Sequence, residues 1–164
     1  ALSEFDIYRS INPLEFAHAN WCKSDKHKTA PNILRMIAQF NSISNWVASE
    51  ILKKKSVKDR AVILNRFIII AEESRAMRNF NSVMAILSGL QSTPIYRLQK
   101  TWNLLPELSW DIWDDLNALM SNDNNYANYR QAVRTAPPPC IPYIGVFLTD
   151  LVFIEESQED YQTG

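Results

Sequence analysis

The stretch ILRMIAQFNSISNWVASEIL, residues 33–52, decides the fold. Its apolar residues Ile33, Leu34, Met36, Ile37, Phe40, Ile43, Trp46, Val47, Ile51 and Leu52 recur at spacings of three and four, which predicts one long core-facing helix. Just upstream, Ala30-Pro31-Asn32 offers a proline where a helix can begin, because its missing N–H would be unsatisfied there anyway. Downstream, Ser56 and Asp59 form the next cap. Val57, Ala61, Val62, Leu64, Phe67, Ile68 and Ala71 then predict a second long helix to near Met77, apolar over a wide arc and therefore central.

The remaining segments read as shorter helices. Ser3–Ser10 carries Phe5, Ile7 and Tyr8 in helical spacing, and Asn12-Pro13-Leu14-Glu15 combines a cap, a first-turn proline and a capping-box glutamate. Lys23–Thr29 is a polar loop. Asn79–Leu90, Glu107–Met120 and the segment bearing Tyr126, Tyr129, Ala132 and Val133 are helical, with Pro94 and Pro106 as breaks and Ser121–Asn125 as a polar turn. Pro137-Pro138-Pro139 stiffens the segment Thr135–Cys140 and delivers Tyr143 at a defined place. Beyond Pro142 the β-branched content would also fit a strand, but Tyr143, Phe147, Leu151, Ile154 and Glu155 read better as one side of a helix. The fold class is all-α, an irregular multi-helix bundle, with Leu34, Ile68 and Leu87 in its core.

Composition narrows the function. A chain of 164 residues with 46% hydrophobic residues can bury one substantial core, so one domain is expected. Seventeen basic residues against 18 acidic ones give a net charge of -1, with no footprint for nucleic acid. Lys53, Lys54 and Lys55 suit a helix C-terminus, and a membrane-binding patch would need more charges on one face. Two cysteines, Cys22 and Cys140, with no paired motif point to a reducing compartment. The apolar stretch Ile141–Ile154 is interrupted by Pro142, Thr149 and Asp150 and is too short to span a bilayer.

Side chains for covalent chemistry are missing. Gly89, Gly145 and Gly164 do not form a phosphate cradle, so no direct nucleotide binding is expected. His18 and His27 have no partner at ligand spacing, and no metal or cofactor is expected. The pairs Glu72-Glu73, Asp114-Asp115 and Glu155-Glu156 diverge by about 100° on a helix and cannot converge on one substrate. Protein recognition is the function that remains.

Several motifs, in order, give a sharper reading. They are Ala30-Pro31-Asn32-Ile33-Leu34 with Asn45-Trp46, Asn79-Phe80-Asn81-Ser82 leading to Leu87-Ser88-Gly89-Leu90, and Ser92-Thr93-Pro94-Ile95-Tyr96-Arg97-Leu98. Asn125-Tyr126 with Tyr129-Arg130 follows, then Pro138-Pro139-Cys140-Ile141-Pro142-Tyr143 and Leu148-Thr149-Asp150-Leu151. Together they resemble the catalytic, CDC25-homology domain of guanine-nucleotide exchange factors for Ras-like small GTPases, over nearly all of the chain. The resemblance implies an all-helical core whose bowl grips switch 2 of the GTPase, and a protruding helical hairpin that pushes switch 1 aside. It also implies that residues 1–164 are most of such a domain, with only the hairpin's first arm present and the returning arm and closing helices beyond Gly164. An exposed apolar face on the last helix would then be an edge left by truncation.

By motif position, the resemblance assigns Met36, Met84, Gln91, Tyr96, Tyr126, Tyr143 and Thr149 to GTPase binding, and Val152 and Glu156, four residues apart, to the wedge. By residue type alone, Met36 and Met84 would be core. Two departures stand out: Gln91 replaces the family's usual asparagine, and Ser157-Gln158 replaces Gly-Asn. The implied function is non-covalent catalysis of GDP release and GTP loading on a Ras, Rap or Ral type GTPase, in the cytoplasm and at the membrane face where that partner resides. The alternative is a helical scaffold that keeps the GTPase-binding bowl but lacks exchange.

Overall fold

The protein's structure, a computed structural model, describes residues 3–159, with side chains described through Ser157. Gln158, one of the departures noted above, lies outside the described side chains. Among the described residues there are ten α-helices, one 3-10 segment and no strand, so the fold is all-α and irregular. The chain forms two compact units, residues 1–39 with 143–164 and residues 40–142.

The first unit contains α1 (Glu4–Arg9), the 3-10 segment Pro13–Cys22, α2 (Lys26–Thr29), the beginning of α3 (Pro31–Leu52) and α10 (Ile144–Glu159). Asn12 and Glu15 form the expected capping box, but the segment they open is a 3-10 helix kinked at Ala17–Ala19. His18 and Ala19 take left-handed φ angles of 48° and 49°, which end one set of backbone bonds before the next begins. The loop expected at Lys23–Thr29 contains the single-turn helix α2, closed by Ala30 N–H on the Lys26 carbonyl at 2.8 Å.

Glu15 does more than its box requires. It is 4% exposed. Its carboxylate accepts from the Asn12 N–H at 3.0 Å, the Asn32 N–H and Asn32 Nδ2 at 2.8 Å each, and the Ile33 N–H at 3.1 Å. Two of those donors are first-turn amides of α3, which have no partner within the helix. A single carboxylate therefore caps two elements, and the helix dipole favours its charge. Burial raises the Glu15 pKa, but the hydrogen bonds from Asn12, Asn32 and Ile33 outweigh it and hold the group below the ordinary glutamate value.

Pro142 precedes α10, which is a helix and not a strand. Its buried residues are Ile144, Val146 and Leu148, whereas Phe153 and Ile154 are exposed. The expected side Tyr143–Phe147–Leu151–Ile154–Glu155 is thus only partly the inward one, because this helix is apolar nearly all round and sequence spacing cannot select a face.

In the second unit, the rest of α3, α4 (Val57–Ala76) and α5 (Phe80–Gln91) supply most of the core. α6 (Thr93–Tyr96), α7 (Gln99–Trp102), α8 (Glu107–Met120) and α9 (Ala127–Thr135) complete it. Val47, Ile51, Leu64, Ile68, Val83, Leu87, Leu90, Ile95 and Leu116 are at most 1% exposed. Ile68 and Leu87 are core as expected; Leu34, in the first unit, is only half-buried. Trp46 is 51% exposed, although its ring meets Phe67 edge-on at 5.0 Å.

Two constraints position α5. At Gly89 a Cβ would lie 2.6 Å from the Ser44 carbonyl oxygen and 2.8 Å from Val47 Cβ, so only glycine permits this crossing of α3 and α5. At the other end, the proline segment is tied to the turn before α5. Ile141 N–H donates to the Arg78 carbonyl at 3.0 Å, Phe80 N–H to the Ile141 carbonyl at 2.9 Å, and Arg78 Nε to the Pro139 carbonyl at 3.1 Å.

Gly89→Ala should destabilise the protein by about 2 kcal/mol or more through overpacking against backbone that cannot yield, read from urea unfolding midpoints. Glu15→Ala should cost about 3 kcal/mol, since it leaves buried N–H groups without an acceptor. Because the folded-state pKa of Glu15 is depressed, its contribution is full above the unfolded value and is lost as pH falls through the folded one. Acid melts should therefore show a loss of stability below the ordinary carboxylate range that is smaller in Glu15→Gln.

Candidate functional site

On α5, Leu87 and Gln91 are four residues apart and Met84 lies one turn earlier, so the three share a face. α8 presents Asn117 and Met120, and the turn after it adds Ser121, Asn122 and Tyr126. These eight side chains enclose an open cavity of about 370 Å³. Gln91 Nε2 donates to Asn117 Oδ1, and Asn117 Nδ2 donates to the Trp113 carbonyl at 2.6 Å, so the amide rim is held before any partner arrives.

The rim is also strained. Asn124, Asn125 and Tyr126 take successive left-handed φ angles of 48°, 56° and 59°. Asparagine tolerates that region, but a tyrosine there carries a cost of about 1 kcal/mol or more. Arg130 fastens the turn by donating to the Asn125 carbonyl at 2.7 Å and to Asn125 Oδ1 at 3.1 Å, and Asn128 Nδ2 reaches the Ala118 carbonyl at 2.9 Å. Strain of this kind persists where surrounding bonds over-determine it, and here it aims the Tyr126 ring at the cavity.

Thioether, aliphatic, amide, hydroxyl and phenol groups line this cavity. Such a lining can accept an apolar side chain and hydrogen-bond its flanks; it holds no carboxylate, imidazole or amine to move a proton. Among the described residues no three His, Cys, Asp or Glu side chains converge as a cation would require.

Beside it is a second, aromatic groove of about 270 Å³, lined by Tyr96, Gln99, Trp102, Trp110 and Trp113. The Trp102 ring centroid is 5.6 Å from Trp110 and 4.9 Å from Trp113, and Trp102 Nε1 donates to the Ile95 carbonyl at 3.0 Å. Tyr96 stands 65% exposed at its edge.

The structure thus brings Met84, Gln91 and Tyr126 into one cavity and sets Tyr96 in the groove next to it. Sequence reasoning missed Asn117, Met120, Ser121 and Asn122, although the spacing Trp113–Asn117–Met120 already placed them on one face of α8. It also missed Trp110 and Trp113 as lining residues; three tryptophans within 12 positions were the available signal.

The other expected site residues belong to the first unit. Met36 is fully buried, so it can shape a surface only by supporting its neighbours. The Tyr143 ring lies over Gly145, where a Cβ would overlap it, and this fixes the tyrosine at the head of α10. Thr149 is exposed and its hydroxyl donates to the Gly145 carbonyl at 3.0 Å. Val152 is half-buried and Glu156 exposed, and with Glu155 they form one wall of a cleft of about 450 Å³ whose other wall is His18, Ala19, Cys22 and Lys23. His18 Nδ1 is 3.6 Å from Glu155 Oε2. No helix among the described residues is long and apolar enough to cross a membrane.

The family model for the RasGEF domain matches residues 1–164. The chain is 44% identical over 164 residues to Ras guanine nucleotide exchange factor E of Dictyostelium discoideum, covering 99% of this chain and 16% of that protein. It is 41% identical over 162 residues to Ras guanine nucleotide exchange factor A of the same organism, covering 99% and 27%. To Ras-specific guanine nucleotide-releasing factor 1 of Rattus norvegicus it is 37% identical over 155 residues, covering 94% and 12%. The chain therefore spans only a small part of the relatives it matches. By the match along its whole length, and by identity to exchange factors from two distant organisms, the chain belongs to the RasGEF domain family.

Proposed function

We propose that this domain binds switch 2 of a Ras-like small GTPase and opens the nucleotide site with α10 as the first arm of a helical wedge, accelerating GDP release and GTP loading. The observation that carries the reading is the preorganised cavity of Met84, Gln91 and Tyr126 in a chain that matches the RasGEF family from end to end. An apolar or aromatic switch residue would enter the cavity, and the Gln91–Asn117 amides would meet its polar neighbours. Tyr96 and Tyr143 would supply aromatic area at low entropic cost.

The wedge works by competition. Val152 offers magnesium no oxygen ligand and occupies space that its hydration needs. Glu156, one turn on and exposed, can pair with the GTPase lysine that otherwise neutralises phosphate. Neither step forms a covalent bond or transfers a proton in this domain. Acceleration follows from linkage, since a protein that favours the open GTPase weakens nucleotide, and nucleotide weakens the complex in turn.

Fluorescent-GDP release from purified Ras, Rap and Ral proteins, with a protein extended beyond Gly164, tests the reading. At least one GTPase should release GDP faster; binding without acceleration would identify an exchange-inactive scaffold instead. Tyr143→Ala should weaken binding to the nucleotide-free GTPase by about 2 kcal/mol in calorimetry, and an unchanged affinity would remove Tyr143 from the interface. The double variant Val152→Ala/Glu156→Ala should keep most of the binding and lose most of the acceleration. Equal loss of both would assign those residues to docking.

A further inference from the structure

The lysine run at residues 53–55 occupies the turn between α3 and α4, and the fold brings more charge to it than the sequence order suggests. Arg60 is the cross-link. Its Nη1 donates to the carbonyls of Lys54 and Lys55 at 3.0 Å each, and its Nε donates to Thr101 Oγ1 at 3.3 Å. One guanidinium therefore holds the backbone at 54–55 beside that at 101, which sets Lys100 next to the run. Lys58, in the first turn of α4, extends the same corner.

The charge at this corner is mostly uncompensated. Lys53 pairs with Glu50 at 2.6 Å. Lys54, Lys55, Lys58 and Lys100 make no ion pair among the described residues, although Lys54 adds to the field that lowers the Glu50 pKa and Asp59 follows Lys58 in the first turn of α4. In a chain of net charge -1, this is a strong local excess of positive charge.

Aliphatic side chains accompany the lysines. Leu52 is 48% exposed and precedes the run. Val62 and Leu104, each 51% exposed, follow Lys58 and Lys100 by four residues. Lys58, Ala61, Val62, Asn65, Leu104 and Pro106 line an open, mostly apolar groove of about 330 Å³. No aromatic side chain lines it, and the corner's one arginine is spent on backbone carbonyls.

We propose that this corner docks on an anionic lipid bilayer, with the lysines at the headgroups and Leu52, Val62 and Leu104 inserted shallowly among the acyl chains. Protein interfaces are enriched in Arg and aromatic residues and depleted in Lys, the reverse of this surface. A nucleic-acid backbone would use the lysines but leave three exposed aliphatic residues without a role. A bilayer with acidic headgroups complements both parts, and such surfaces bind stably when a polybasic cluster and an apolar anchor act together. None of these lysines or aliphatic residues is one assigned to exchange, so the proposal stands or falls independently of that reading.

Vesicle co-sedimentation with the full chain tests the proposal. Vesicles of phosphatidylcholine with about 30% phosphatidylserine should bind the protein, phosphatidylcholine alone should not, and binding should fall as salt rises. The Lys54→Gln/Lys55→Gln/Lys58→Gln variant, checked for folding by circular dichroism, should bind about a hundredfold more weakly, with GDP release in solution unchanged. Leu104→Ser should weaken vesicle binding while leaving any binding to heparin unaltered. Absence of binding to the acidic vesicles, equal binding to neutral ones, or full binding by the lysine variant would overturn the proposal. So would heparin or an acidic peptide binding as tightly as the vesicles, with Leu104→Ser weakening neither. The vesicle comparison and the lysine variant decide the matter even if Leu104→Ser does not fold.

Discussion

The approach of α5 to α3 at Gly89 is the contact on which the candidate site depends. A residue without a side chain lets the α5 backbone come within van der Waals reach of the Ser44 carbonyl and Val47. Val83, Ile86 and Leu90 are then buried, while Met84 and Gln91 remain on the rim facing α8. Moving α5 outward to accommodate a Cβ would shift the Gln91–Asn117 bond and the cavity that it edges.

Irregular helical folds leave many helix ends and joints whose backbone groups have no partner in regular structure. Here long charged side chains satisfy them. Glu15 takes amides at the start of α3, Arg60 holds carbonyls at the α3–α4 turn, Arg78 holds the proline segment, and Arg130 holds the left-handed turn that aims Tyr126. Each is a charge-assisted hydrogen bond to backbone, of about twice the strength of a neutral one. The short range of such bonds fixes one geometry for each joint, which hydrophobic burial alone would leave adjustable.

Much of this was legible in the sequence. The bounds of α3, α4 and α8, and those of α5 to within one residue, follow from apolar spacing, from Pro31 and from the cap at Ser56. Those signals are local, and a helix is a local structure. The kink at His18 and Ala19, the single turn of α2 and the buried face of α10 were not legible, because tertiary packing decides them and no residue there has a strong backbone preference. For the site, motif order supplied Met84, Gln91 and Tyr126, and bare residue type would have sent Met84 to the core. Asn117 joins the site only through the placement of α8 against α5. Local spacing identifies Glu15 only as a box residue, while its bonds to Asn32 and Ile33 span 17 and 18 positions that no spacing rule covers.

On the proposed reading, the preformed cavity and its strained rim would capture one state of a GTPase partner. The stiffness supplied by Gly89, Arg78 and Arg130 limits how far that surface can adapt, so discrimination between partner states falls to the partner's own shape. The most direct test is calorimetric affinity for a nucleotide-free Ras-like GTPase, repeated as GDP is added. The account predicts tight binding without nucleotide and progressive weakening with GDP, by the factor by which this domain lowers GDP affinity. Affinity independent of nucleotide would contradict it.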